Sequence, residues 1–287
     1  MSDPQRAGVL VTPDELARLL ADGGGDGDGP VVLDVRWALG RTDGHERYLA
    51  SHLPGAVFVD LDTELAAPPS PAAGRHPLPD VADLERAARR WGVREGGAVV
   101  VLDDVGGTSA ARAWWLLRWA GVRDVRLLDG GLPAWAAAGY PLEGGEVTPE
   151  PGDVVLVPGA LPTVDADGAA GLADRGVLLD ARAAERYAGR VEPVDPRAGH
   201  VPGAVSAPTA QNLGPDGRFL DAAALRARFD ALGVHPGEGT PVGVYCGSGV
   251  TAAHEIAALA SVGVTAALYP GSWSQWSHDA SRPAATG

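Results

Sequence analysis

The stretch Pro241-Val-Gly-Val-Tyr-Cys-Gly-Ser-Gly-Val-Thr-Ala-Ala-His-Glu-Ile256 reads as a strand, a loop and a helix in succession. Val242 to Tyr245 is a short apolar run of a length that suits a buried strand. It delivers Cys246 into a loop holding Gly247, Ser248 and Gly249, and an Ala-rich helical pattern begins near Thr251. Consecutive backbone N–H groups in such a loop can curl around one point, and the helix start adds partial positive charge there. An anion is favoured at the centre, so a cysteine at that place favours its nucleophilic thiolate. Cys246 is also the sole cysteine of the 287 residues. Lone cysteines are often small buried hydrophobes. Strand, cysteine, glycine-rich loop and helix in that order make the catalytic reading the stronger one.

Working outward, the chain is long enough for two ordinary domains, each burying its own core. Hydrophobic residues make up 45% and charged residues 21%, as in a globular protein. Acidic residues outnumber basic ones, 37 to 23, for a net charge of -14. That excess argues against nucleic acid or an anionic membrane as the main partner. One cysteine excludes an intramolecular disulfide and suits a reducing compartment. The first ten residues lack the basic and apolar regions of a signal peptide, and no apolar run is long enough to span a bilayer. A cytoplasmic location is expected.

Continuous apolar runs recur at Val9–Val11, Val31–Val35, Ala56–Asp60, Ala98–Leu102 and Val125–Leu128. Between them lie helical patterns. One is opened by Thr12, Pro13 and early acids, one runs over Val81–Trp91 and ends at Gly92, and one covers Ser109–Ala120. Strands that are apolar throughout, alternating with helices, predict a parallel sheet covered on both faces. Pro68–Pro79 reads as a long loop carrying Arg75 and His76, and the Gly/Asp-rich Gly23–Pro30 as a surface loop.

The second half repeats the first. Leu178-Leu-Asp-Ala-Arg182 matches the stretch around Asp34 and Arg36 at an offset of 146, and Gly199–Val205 matches Ser51–Val57 at 148. The strand, loop and helix around Cys246 match those around Asp104 at 142, and Gly271–Trp273 falls on Gly130–Leu132 at 141. Two copies of one α/β domain are therefore expected, at 1–144 and 160–287, joined by a Gly/Pro/Glu-rich linker at 145–159. The first copy places Asp104 where the second has Cys246, so only the second keeps a nucleophile. The centre is expected in the second domain, facing a cleft between the two.

Tandem α/β domains, repeated Asp-x-Arg and His-x-Pro-Gly-Ala-Val elements and the loop Cys246-Gly-Ser-Gly-Val-Thr251 resemble the two-domain rhodanese family. The resemblance covers nearly the whole chain and extends to Leu33–Trp37 and to Gly271-Ser-Trp-Ser-Gln-Trp276. It implies two rhodanese-like domains, each a mostly parallel sheet with helices on both faces, and a sulfurtransferase that works through a persulfide on Cys246. Thiosulfate enzymes of the family commonly place Arg and Lys directly after the cysteine. The 3-mercaptopyruvate enzymes carry Cys-Gly-Ser-Gly-Val-Thr, as here, so the resemblance favours 3-mercaptopyruvate as donor, with thiosulfate the runner-up. The acceptor would be a thiol, a thioredoxin-like protein or cyanide, with no metal or organic cofactor.

The resemblance also assigns residues. Arg186 is the leading candidate for gripping the donor's carboxylate, a task that suits an arginine fork. Arg190 and Arg197 compete for a second such place, and Gly247, Gly249, Val250 and Thr251 shape the loop around the sulfur. Ser248 with His76 and Asp62 matches a trio that would polarise the donor carbonyl or manage a proton at sulfur. Arg182 has a counterpart, Arg36, in the copy without the cysteine, so it reads as structural. His52 and His200 read as structural for the same reason, and His254 as a packing or capping residue.

Two other functions compete. A cysteine-dependent phosphatase needs Cys-x5-Arg, but residue 252 is alanine and the loop is short for that chemistry. A non-catalytic persulfide carrier would share the modified cysteine and would differ by failing to turn over a small donor. Scattered histidines beside one cysteine lack metal-ligand spacing.

Overall fold

The computed structural model describes residues 3–23, 29–235, 237 and 239–287; most of the Gly/Asp-rich stretch at 23–30 lies outside them. By its internal contacts the chain forms two units. The first comprises the chain up to Leu65, Pro79–Leu161 and Gly214–Phe219, and the second Ala66–Leu78, Pro162–Leu213 and Leu220–Gly287.

In the first unit, strands β1 (Leu10–Val11), β2 (Val31–Asp34), β3 (Val57–Phe58), β4 (Val99–Leu102) and β5 (Val125–Leu128) form one sheet. Its order is β1-β5-β4-β2-β3, with every pair parallel. The helices are α1 (Pro4–Ala7), α2 (Pro13–Gly23), α3 (Gly44–Ala50), α4 (Leu61–Glu64), α5 (Val81–Arg90), α6 (Ala110–Trp119) and α7 (Gly131–Ala137). Thr12 opens α2 with a reciprocal cap. Its N–H donates to Glu15 Oε2 at 2.9 Å, and the Glu15 N–H donates to Thr12 Oγ1 at 3.3 Å. The core gathers Leu16, Val32, Leu53, Val100, Leu102, Leu128 and Trp135.

In the second unit, β6 (Val177–Asp180), β7 (Val205–Ser206), β8 (Val242–Tyr245) and β9 (Ala267–Leu268) pair in the order β7-β6-β8-β9, again all parallel. Its helices are α8 (Ala166–Arg175), α9 (Ala184–Tyr187), α10 (Ala222–Ala231), α11 (Thr251–Ala260) and α12 (Ser272–Trp276). Tyr245, Tyr269, Trp273 and Trp276 anchor the core with Leu172, Leu178 and Val201.

Strand order fixes where chemistry can sit. The chain leaves β6 toward β7 in one direction and β8 toward β9 in the other. Right-handed crossovers running opposite ways put their helices on opposite faces. Adjacent strands that part in this way leave a crevice at their carboxyl ends, where α/β sheets bind ligands. Cys246 follows the last residue of β8 at that point.

The grouping differs from a simple division at 145–159 in identifiable places. The linker is strapped to the first unit: the N–H groups of Gly152 and Val157 donate to the Arg89 and Ala120 carbonyls at 2.8 and 2.9 Å. The Pro-rich loop goes to the second unit. The Arg75 N–H donates to Ser274 Oγ at 3.1 Å, and Gln275 Nε2 donates to the Ala72 carbonyl at 2.6 Å. Gly74, at φ +91°, is required there, because a Cβ would lie 2.7 Å from the Gly271 carbonyl oxygen.

Among the described residues no helix is long and apolar enough to cross a membrane.

Candidate active site

Cys246 is 2% exposed. Its sulfur accepts the Gly249 N–H at 3.1 Å, with Gly249 at φ +80° turning the loop back toward it. Val250 is buried and precedes Thr251, the first residue of α11. The helix N-terminus thus opens directly beyond the loop, which suits a negatively charged sulfur. The loop is pinned from behind: the Cys246 N–H donates to Ser272 Oγ at 3.2 Å, and the Cys246 and Gly247 carbonyls accept from the N–H groups of Trp273 and Ser274. Ser272 is the sole described non-glycine residue at positive φ, 51°. Its hydroxyl helps hold that conformation by donating to the Tyr269 carbonyl at 2.9 Å.

Two arginines overhang the loop. A Cβ on Gly247 would lie 2.9 Å from Nη2 of Arg75 and 3.3 Å from Nη1 of Arg186. Arg186 donates to Glu192 Oε1 at 2.7 Å and to Asp195 Oδ2 at 3.1 Å, and Arg75 donates to the other oxygen of Asp195. Burial pushes the Asp195 carboxyl above the usual carboxylate range; Arg75 opposes the shift and Glu192 adds to it. Ser248 Oγ and His76 Nδ1 share a hydrogen bond of 2.7 Å, both residues being buried. Loop, arginine pair and Ser–His pair all belong to the second unit.

Arg75 is the residue beside the loop that sequence reasoning passed over. It stands next to His76 in the Pro-rich loop, but nothing in the local pattern says that this loop docks on α12. The two rivals for a second arginine stand elsewhere. Arg197 spends its guanidinium on the Trp276, Ser277, Asp279 and Arg282 carbonyls at 2.7–2.9 Å, tying down the C-terminal segment. Arg190 is exposed. Asp62 lies in α4 of the first unit, where Oδ1 accepts the Trp37 indole N–H at 3.0 Å. Arg182 is structural. It forks onto Asp180 at 2.6–3.1 Å and covers the Trp273 ring at 4.8 Å, as Arg36 forks onto Asp34 at 2.6 and 2.9 Å. His52 and His200 likewise repeat one bond, each with Nδ1 2.8 Å from a tyrosine carbonyl oxygen.

Residues 12–138 and 165–279 each match the family pattern of the "Rhodanese-like domain". The chain belongs to the rhodanese-like family. A Mycobacterium tuberculosis protein named provisionally as the thiosulfate sulfurtransferase SseB is 48% identical over 289 residues, 98% of each chain. A Pseudomonas aeruginosa protein, named provisionally as a 3-mercaptopyruvate sulfurtransferase, is 48% identical over 97% of this chain and 98% of its own. Among solved structures, the 3-mercaptopyruvate enzyme SseA of Escherichia coli superposes with a TM-score of 0.79 at 33% identity, covering 92% of this chain and 98% of that one.

Within the rhodanese-like pair, strand register corrects the expected counterpart of Cys246. Asp34 lies opposite Leu102 and Asp180 opposite Tyr245, so the residue after each strand is Asp103 in the first unit and Cys246 in the second. The same backbone bond follows: the Leu132 N–H donates to Asp103 O at 2.9 Å, as the Trp273 N–H does to Cys246 O at 3.0 Å. The loop to the next helix is two residues longer in the first unit, which shifted the sequence match onto Asp104. Asp104 instead pairs with Arg36 and Arg47. The Asp103 carboxylate, fully buried, accepts four N–H groups at 2.8–2.9 Å, from Val105, Gly107 and Ser109 in the loop and from Ala110 at the start of α6. The first loop is an anion cradle filled by its own side chain. Asp103→Asn leaves an amide NH2 facing two of those donors. It should destabilise the protein by about 2–4 kcal/mol in urea titrations, while mass spectrometry should still find the folded variant taking up sulfur at Cys246.

Proposed function

We propose that this protein is a 3-mercaptopyruvate sulfurtransferase, with thiosulfate as a poorer donor. The observation that carries the reading is Cys246 at a helix start, beneath two arginines and beside a Ser–His pair. The Cys246 thiolate attacks the donor sulfur, forming an S–S bond as the C–S bond breaks. The electron pair of that bond goes to carbon as pyruvate enolate. The proton on the donor sulfur moves to the enolate carbon, leaving pyruvate and an anionic persulfide. In this reading the hydrogen-bonded pair Ser248 and His76 polarises the carbonyl and carries that proton. A thiol, a thioredoxin-like protein or cyanide then removes the outer sulfur, in keeping with a cytoplasmic location. A role for Asp62 in orienting His76 rests on family resemblance alone.

Steady-state assays with both donors test this. We expect kcat/KM to favour 3-mercaptopyruvate by at least about tenfold, the worth of one charge-assisted hydrogen bond. Preference for thiosulfate in the parent protein overturns the donor assignment, and no turnover with either donor leaves a persulfide carrier as the better description. Ser248→Ala and His76→Gln should each lower kcat for 3-mercaptopyruvate by roughly 10²-fold, the lower end for loss of a proton-transfer group. An unchanged kcat in both variants removes the pair from the mechanism.

A further inference from the structure

The two guanidiniums above the Cys246 loop do not present their full charge. Asp195, its side chain 1% exposed, takes Nη1 of Arg75 with one oxygen and Nη2 of Arg186 with the other. Glu192, its side chain 4% exposed, takes Arg186 as well and lies 3.4 Å from Arg182 Nη1. Glu192 is fixed by the backbone that follows it, since the N–H groups of Val194 and Asp195 donate to Glu192 Oε1 at 3.2 and 3.1 Å. Arg182 is already matched by Asp180. Over the loop, two positive charges therefore meet two buried negative ones. The Nε atoms of Arg75 and Arg186 are nevertheless buried and have no acceptor among the described residues. The acids engage Nη1 of Arg75 and Nη2 of Arg186, which leaves Nη2 of Arg75 and Nη1 of Arg186 as the nitrogens nearest Gly247.

We propose that Asp195 is a specificity-determining residue that makes this cradle accept monoanionic donors and reject dianionic ones. The inference rests on the sulfurtransferase reading and adds the charge rule by which the site chooses its donor. One carboxylate can take N–H groups from Nη2 of Arg75 and Nη1 of Arg186 in a cluster whose formal charge is zero. A dianion brings a second charge into a buried site where the Asp195 carboxylate already stands, and repulsion between like charges is strong there because little water screens it. Arg75 is the second arm of the clamp, contributed by the Pro-rich loop and not by the segment between Asp180 and His200.

Alkylation of Cys246 by iodoacetamide tests the rule without requiring turnover. Pyruvate and sulfate serve as the monoanionic and dianionic protectants, and thermal melting confirms that each variant is folded. In the parent protein, pyruvate should protect at a concentration about tenfold or more below that of sulfate. Asp195→Asn keeps the shape and removes the charge, so it should close most of that gap by strengthening protection by sulfate. Arg75→Gln should weaken protection by both anions. Sulfate protecting the parent as well as pyruvate does overturns the proposal, even if the Asn variant fails to fold. So does an unchanged gap in a folded Asn variant. Turnover of the two donors by the parent is measured alongside. If it turns over neither, the sulfurtransferase reading fails while the protection data still decide the charge rule.

Discussion

Cys246→Ser should abolish sulfur transfer, lowering turnover with either donor by on the order of 10⁴-fold or more, the scale on which enzymes lose their nucleophile. The parent protein treated with donor should gain one sulfur atom, at Cys246 by peptide mass spectrometry, and the serine variant none. The physical case is that no other thiol exists in the chain. This one sits at a strand end with the Gly249 N–H on its sulfur and a helix start beyond it. Serine keeps the hydrogen bonding but cannot form a persulfide. The fold should survive, because the exchange costs one small buried side chain. Full turnover by the serine variant, or sulfur found elsewhere, would sink the mechanism.

The largest stability effect should come from Arg182→Ala. Asp180 is fully buried, and its carboxylate is held by the Arg182 fork, which also donates to the Gly199 carbonyl at 2.7 Å. Removing the guanidinium leaves a buried charge uncompensated, a loss of about 3–5 kcal/mol, and Tm should fall on the order of 10 °C. Replacing both partners by apolar residues, Asp180→Leu with Arg182→Met, should recover much of that loss, because the desolvated charge goes with its partner. A double variant no more stable than the single one would show that Arg182 acts through its packing on Trp273. The twin pair, Asp34 and Arg36, predicts a similar loss for Arg36→Ala.

Much of the architecture was legible because it depends on local pattern. Continuous apolar runs mark strands buried on both faces, and Val31, Val99, Val125, Val177 and Val242 each open one. The internal repeat gave two copies of one α/β domain. It also marked structural residues: Arg182 and Arg36, and His52 and His200, are twins that make the same bonds. The limit of the repeat was alignment across loops of unequal length. Apolar letters cannot say that Asp103, and not Asp104, follows the last paired residue of its strand. The ladder opposite β2 does.

The sequence by itself determined the fold class, the place of the sole cysteine at a strand end and the glycine-rich loop, since each is written in adjacent residues whose local preferences agree. Ser248, Gly249 and Thr251 were readable for the same reason. Only the tertiary structure decided what surrounds that loop. Docking of the Pro-rich loop on α12 carries Arg75 to within reach of Gly247 and His76 to Ser248, residues 172 positions apart in sequence. Folding of the segment after α9 turns Arg186 toward the loop and commits Arg197 to the C-terminal carbonyls. Three arginines in one segment look alike as letters. Their roles differ because a guanidinium in a packed interior must find acceptors, and which acceptors lie nearby is a property of the folded chain.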